Sequence, residues 1–292
     1  MAEPEDFEAQ RRYLGAVAYR MLGSLADAED VLQEAWLRWR DVDHAAIGNP
    51  RAYLTTVVTR LCYDQLGSAR ARREAYFGEW LPEPLVDDAP GPQDRAEVGE
   101  EISLAVMALL ERLTPAERAA FVLHDVFGVD FPQIATTLER SEASARQLAS
   151  RARKQIKEGG PRRTVDRAVH RQAVEAFAAA VGRGDIMGLM KVLDPDTVWR
   201  ADGGGIVGAV AHPILGAQQV SRLIAGLVRR FGTPDMTAGP VLVNGEPGLL
   251  FYEPGRPPAA VLAFSVDDSG LITEIQVVLN PEKLARIATR GV

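Results

Sequence analysis

The strongest chemical signal in this 292-residue chain is a set of polar side chains between residues 144 and 157. Ser144, Arg146, Gln147, Ser150, Arg151, Arg153, Lys154 and Lys157 share a helical surface. The intervening Ala145, Leu148, Ala149, Ala152 and Ile156 recur at i, i+3, i+4, i+7 and i+11, a single apolar stripe at helical period. A helix buried along that stripe presents Arg, Gln and Ser outward, which suits a helix lying in the DNA major groove. There Arg reads guanine bidentately, Gln reads adenine, and Lys or Arg holds phosphate. The same composition also describes an ordinary solvated basic helix.

The elements around the stretch favour DNA. Phe131 to Leu138 reads as a short helix with Ile134, Ala135 and Leu138 on its inner face. A turn follows at Glu139-Arg140-Ser141, and the Ser141 hydroxyl can cap the next helix. Small alanines at the packing positions permit the close approach that a helix-turn-helix requires.

Bulk properties set the frame. The length predicts two or more domains, and no apolar run of 18 residues indicates a membrane helix. The start is acidic (Glu3, Glu5, Asp6, Glu8) and lacks the basic and apolar regions of a signal peptide. Cys62 is the sole cysteine, so no intrachain disulfide forms; a buried thiol in a reducing cytoplasm is expected. The net charge of −7 does not exclude nucleic acid, because residues 141–165 carry seven basic and two acidic side chains while the acidic excess lies elsewhere.

Residues 1–70 read as helices. Phe7 to Leu22 is ended by Gly23, and Ser24-Leu-Ala-Asp27 starts the next. Ala28, Val31, Leu32, Ala35, Trp36 and Trp39 form its inner stripe, and Asp27, Asp30, Gln33, Glu34 and Arg38 its polar face. These carboxylates lack a His partner, so no metal site is expected. Asn49 caps a helix with Pro50 at its first position. Leu54, Val57, Val58, Leu61 and Leu66 point inward; Arg51, Thr55, Thr56, Thr59, Arg60 and Asp64 point outward, with Tyr53 and Tyr63 on or near that surface. Such a face suits melted DNA, whose unstacked bases need a stacking surface; tyrosines turned to the core are the other reading.

Residues 71–99 form an acidic, Pro-rich linker. Its Trp80-Leu81-Pro82-Glu83-Pro84 run predicts extended backbone, and a Trp-Leu pair there predicts docking on another surface. The helix-turn-helix domain spans 100–160, opened by the Thr114, Pro115, Glu117 cap and closed by Gly159-Gly160-Pro161. Residues 166–292 change character. Helices at 165–181, 185–193 and 217–230, and strands near 197–200, 238–243, 249–252, 259–266 and 271–278, predict an α+β domain with helices on one face of a curved antiparallel sheet. In the last strand Ile275, Val277 and Leu279 alternate with Glu274, Gln276 and Val278.

The N-terminal 160 residues resemble the bacterial extracytoplasmic-function (ECF) sigma factors. The matching segments, in the family's order, are Ser24 to Trp36, Asn49 to Asp64, Leu113 to Leu123 and the helix-turn-helix. Thr59-Arg60 departs from the Arg-Asn common there. Trp80 to Pro84, Asp202-Gly203-Gly204-Gly205 and Asn280-Pro281-Glu282-Lys283-Leu284 resemble motifs of the subgroup with a fused SnoaL-like, NTF2-like C-terminal domain, where Asp is more usual than Glu282.

The resemblance implies two all-α sigma domains followed by an α+β cone domain. It implies that Asp27, Asp30, Val31, Gln33, Glu34 and Arg38 bind the polymerase β-prime clamp, and that Arg51, Tyr53, Thr56, Arg60 and Asp64 lie near the melted −10 strand. Arg146, Gln147, Ser150 and Arg151 would then sit over −35 bases, with Arg153, Lys154 and Lys157 toward phosphates. The chain's own C-terminal domain would take the place of an anti-sigma protein, through the Trp80, Asp202 and Asn280 motifs. SnoaL-like relatives include acid–base enzymes, which makes Asp202 or Asp196 with His212 or His170 the candidate pair here; a working pair needs mutual reach in a closed pocket. The glycine run lacks dinucleotide-binding spacing, and no cofactor is expected. Two other readings stand beside the sigma factor: a ligand-sensing DNA-binding regulator independent of polymerase, and a bifunctional enzyme.

Overall fold

The computed structural model describes residues 4–74, 76–87, 102–159 and 165–287, and the side chains of these except 4, 5, 45 and 68–74. Glu3, the Asp88–Pro92 part of the Pro-rich run and the Gly160-Pro161 stop lie outside the described residues. The chain divides into two compact units. The first is built mainly from Met1–Ala75 and Met107–Gly159, the second from Tyr76–Ala89 and Gly160–Val292.

The first unit is helical. Its elements are α1 (Pro4–Leu22), α2 (Leu25–Arg40), α3 (Pro50–Glu74), α5 (Pro115–Phe121), α6 (Phe131–Leu138) and α7 (Glu142–Gly159); α4 (Leu104–Leu110) precedes α5, which runs on into a π-turn at Val122–Val126. Short polar side chains set the helix starts by accepting orphan backbone N–H groups. Ser24 Oγ accepts from Asp27 N at 3.2 Å and Asn49 Oδ1 from Ala52 N at 3.1 Å. Thr114 and Glu117 form a reciprocal capping box. Ser141 Oγ accepts from Ser144 N at 3.2 Å, and Glu139 in the left-handed region (φ 54°) makes the turn between α6 and α7.

The core of this unit sits where α1, α2 and α3 meet, around Phe7, Leu14, Met21, Leu32, Trp39, Leu54 and Val58. Val31 belongs to it at 4% exposure, so it is a packing residue and presents no surface to a partner. A further correction concerns α3. Thr55 and Thr59 are buried, at 1% and 0% exposure, instead of facing outward. The reason is that α3 is covered on two sides, by α1 and α2 and also by α5 and α6. Thr55 Oγ1 satisfies itself by donating to the Arg51 carbonyl at 2.7 Å.

The second unit contains α8 (Arg167–Arg183), α9 (Ile186–Val192), β2 (Leu193–Asp202), β3 (Ile214–Leu215), α10 (Ala217–Phe231), β4 (Thr237–Val243), β5 (Glu246–Tyr252), β6 (Ala260–Val266), β7 (Ile272–Val278) and α11 (Pro281–Leu284), together with β1 (Val86–Asp87). The sheet order is β1-β4-β5-β6-β7-β2-β3. The expected purely antiparallel sheet is instead mixed, because β2 pairs parallel with β7 from Val198↔Glu274 to Asp202↔Val278. The α10 crossover carries the chain to the far edge before the β4–β7 meander, which ends beside β2 and runs with it. Phe177, Val174, Leu189, Val220 and Ile224 of the helices pack on Trp199, Leu262, Phe264, Ile275 and Val277 of the sheet, with Phe177 and Phe264 edge to face at 5.0 Å. The helices lie on one face of the sheet, the α+β arrangement expected from the element order. The opposite face is covered as well, since Gln276 (2%), Val278 (0%) and Asp202 (0%) are buried there.

His170 lies on the buried side of α8, its Nε2 without a partner. Burial pushes the imidazole down from 6.5 to about 4, with the Pro247 carbonyl opposing and Arg167 adding to the fall. Between those values the unfolded chain binds the proton and the folded chain does not. The stabilisation is therefore complete above pH 6.5 and is lost as pH falls through 4, by up to about 3 kcal/mol. Urea unfolding at pH 7 and pH 4.5 should show the loss, and His170→Phe should flatten it; an unchanged slope in the variant would refute the assignment.

Candidate functional site

The second unit is organised around one buried carboxylate. Asp202 is the last residue of β2, and Gly203-Gly204-Gly205 turns the chain away from it. Gly204 (φ +68°) and Gly205 (φ +71°) are left-handed, and a Cβ on Gly204 would lie 2.6 Å from the Asn280 side chain. The carboxylate is fully enclosed, and each oxygen is doubly used. Oδ1 accepts from the Tyr76 hydroxyl at 2.6 Å and from Gly204 N at 3.0 Å. Oδ2 accepts from Leu81 N at 2.9 Å and pairs with Lys283 Nζ at 2.7 Å. Lys283 also donates to the Leu81 carbonyl and sits 4.1 Å over the Trp80 ring. Asn280 caps α11 through Oδ1 and donates from Nδ2 to the Tyr76 oxygen at 3.0 Å. Burial first, and then the Asp202 carboxylate, push the Tyr76 phenol upward, so it remains a donor.

The three sequence motifs therefore meet at this carboxylate. Trp80 is half-buried, and Leu81, Pro82, Glu83, Pro84, Gly203 and Leu284 are buried, whereas Pro281 is exposed in the first turn of α11. The hold extends beyond them. Arg200 bridges Glu79 and Glu274 at 3.0 Å each. Leu85 and Asn244 exchange two hydrogen bonds, Leu85 N to Asn244 Oδ1 at 3.0 Å and Asn244 N to the Leu85 carbonyl at 2.8 Å. Val86 then pairs with Val243, which makes β1 an edge strand of the sheet. Tyr76, Glu79, Arg200 and Asn244 escaped the sequence reading. Only Asn244-Gly245, with φ 49° and 83°, carried a local signal, the hairpin turn between β4 and β5.

This arrangement holds a segment in place. A general base needs a free lone pair facing a substrate, and both Asp202 oxygens are occupied. Asp196 and His212 are exposed, His170 is buried in α8, and no hydrogen bond joins either Asp to either His among the described residues. Among those residues no cluster of His, Cys, Asp and Glu could hold a metal.

In the first unit, α7 buries Ala145, Ala149 and Ala152 and exposes Arg146, Gln147, Ser150, Arg151, Arg153, Lys154 and Lys157, with Ser144 half-buried. Arg146 pairs with Glu142 and lies 4.4 Å over the Phe131 ring; Arg153 meets Asp125 at 2.5 Å, and Lys154 lies 3.9 Å from Glu158. Exposed pairs of this kind are worth under about 1 kcal/mol and yield readily to phosphate. On α2, Asp30, Gln33, Glu34 and Arg38 are exposed, Glu34 and Arg38 pair at 3.0 Å, and half-buried Asp27 accepts from Gln65 at 3.1 Å. On α3, Arg51 stacks 3.9 Å over Tyr13, Tyr53 packs 5.9 Å from Trp39, and Asp64 is exposed. Thr56 and Arg60 do not form the open surface expected. Arg60 donates to the Thr136 and Thr137 carbonyls at 3.1 Å each, and Thr56 shares a hydrogen bond with the Thr137 hydroxyl at 3.1 Å.

Residues 7–72 match the family model for sigma-70 region 2, and residues 103–156 that for sigma-70 region 4. Over 298 residues the chain is 43% identical to the ECF RNA polymerase sigma factor SigJ of Mycobacterium tuberculosis, covering 96% of this chain and 93% of the relative. It is 37% identical over 281 residues to a probable ECF RNA polymerase sigma factor, SigI, of the same species, covering 95% and 93%. The crystal structure of M. tuberculosis SigJ superposes with a TM-score of 0.79 at 39% identity, covering 97% of this chain and 98% of that one.

Proposed function

Because the chain belongs to the extracytoplasmic-function sigma factors, which direct RNA polymerase core to specific promoters for transcription initiation, we propose that its second unit controls how much of that activity is released. The observation that carries this is the enclosed Asp202, which ties Tyr76 and Leu81 of the linker to Lys283 at the far end of the same unit. The chain thereby carries its own regulator in place of a separate anti-sigma protein. It works in the cytoplasm; among the described residues no helix is long and apolar enough to cross a membrane.

In this reading residues 1–70 bind core polymerase through Asp27, Asp30, Gln33, Glu34 and Arg38, and the melted −10 strand through Arg51, Tyr53, Thr56, Arg60 and Asp64. Residues 71–99 link this domain to residues 100–160, which read the −35 element through Arg146, Gln147, Ser150 and Arg151, with Arg153, Lys154 and Lys157 on phosphates. Residues 166–292 regulate, with Asp202 as their anchor for the linker. Run-off transcription tests the reading, with core polymerase and promoters recovered by pull-down of the holoenzyme. The full-length chain, Asp202→Asn and a chain ending near Gly160 should all give promoter-specific transcripts, in amounts that differ. Equal output and equal core affinity for all three would remove the regulatory role.

A further inference from the structure

The end of α6 meets Thr56 and Arg60, two of the five α3 side chains that the promoter reading assigns to melted DNA. Thr136 and Thr137 stand in the last turn of α6, where backbone carbonyls carry the negative end of the helix dipole. Both carbonyls accept from Arg60, and the Glu139 carboxylate lies 3.2 Å from the same guanidinium. Two carbonyl oxygens and a carboxylate thus surround Arg60 as phosphate oxygens would. The surrounding contacts are polar as well. Thr56 meets Thr137, and Gln133 Nε2 donates to the Ala52 carbonyl at 3.4 Å. Deeper in, Thr59 and Arg118 are buried, and the Thr59 hydroxyl and Arg118 Nε have no partner. A polar interface between domains is the kind that opens.

We propose that this contact is an internal competitor for promoter DNA: the C-terminal end of α6 takes the place of the strand backbone on Arg60, so α6 and the −10 strand exclude each other on α3. The inference rests on the reading of Thr56 and Arg60 as strand contacts. The helix-turn-helix must therefore leave α3 before the −10 strand can bind, and the closed fraction lowers the apparent affinity of the whole chain for that strand.

The test is a reversible lock. The Thr56 and Thr137 hydroxyls are 3.1 Å apart, so cysteines at these two positions face each other, and the native Cys62 is buried. Full-length Thr56→Cys/Thr137→Cys is titrated with a fluorescent oligonucleotide carrying the non-template −10 strand of a recovered promoter, first oxidised and then reduced, with the unmodified chain as control. Oxidation should weaken binding at least tenfold and reduction should restore it, while the control is indifferent. Full-length Glu139→Lys, which sets a like charge against Arg60, should bind severalfold tighter than the unmodified chain. Equal binding by the oxidised and reduced double variant would overturn the proposal, and so would failure of the folded chain to form the bond. No strand binding by the control or by either variant would instead remove the −10 reading, and the proposal with it.

Discussion

Replacing Asp202 by alanine should lower the unfolding free energy of the second unit by about 3–5 kcal/mol, the range for breaking a buried ion pair from one side. The carboxylate is fully enclosed and Lys283 is 11% exposed, so neither charge is screened by water. The variant removes the acceptor for the Tyr76 hydroxyl, Leu81 N and Gly204 N together with the counter-charge of Lys283. Asp202→Asn keeps one acceptor but sets an NH2 against a ring of donors, so it should fall between. The double variant Asp202→Ala/Lys283→Met removes both charges and should recover part of the loss. Urea unfolding of the full-length chain measures the three values, and protease cleavage within residues 76–87 reports release of the segment. An Asp202→Ala chain within about 1 kcal/mol of the parent, with the segment still protected, would mean that the carboxylate does not anchor it.

Arg118→Ala should cost the first unit a similar amount, about 3–5 kcal/mol. Arg118 projects from α5 at 2% exposure, pairs with Glu111, and lies near Cys62 of α3 and Tyr19 of α1. Burial lowers its guanidinium from 12.5 to about 9, with Cys62 and Tyr19 opposing. That depression is a penalty on the folded state, present in full below pH 9 and relieved as pH rises toward 12.5. Alanine leaves a void and a mostly buried Glu111 without this partner; methionine fills the volume without a charge to desolvate and should cost much less. Unfolding curves for the two variants decide the matter. Equal losses would mean that the pairing with Glu111, absent from both variants, outweighs the void left by alanine.

The recognition helix was legible because its alanines recur at a clean helical period, and Ala145, Ala149 and Ala152 are fully buried. The strands of the second unit were legible for the same kind of reason. Thr55 and Thr59 were misread because threonine is neutral to pattern: it suits a wet face and a polar buried one equally, and only the packing of α5 and α6 on α3 decides between them. The parallel β2–β7 pair depends on where the α10 crossover lands, which no local pattern records. The carboxylate anchor joins Tyr76, Asp202 and Lys283, so resemblance could name the motifs but spacing could not pair them. Arg200 and Glu79 lie more than a hundred residues apart, and no local pattern joins them.

The two-residue strand β1 also sets a length. With Tyr76 to Asp87 fastened along the second unit, twelve residues of the chain between the two helical domains are held to that sheet. Unfastened, those twelve residues join the leash between the domains proposed to read the two promoter elements, adding about 40 Å of reach at full extension. Under the proposed function, promoter spacer length becomes a ruler for the state of the anchor: an anchored chain should tolerate a narrow range of separations between −35 and −10, and a released one a wider range.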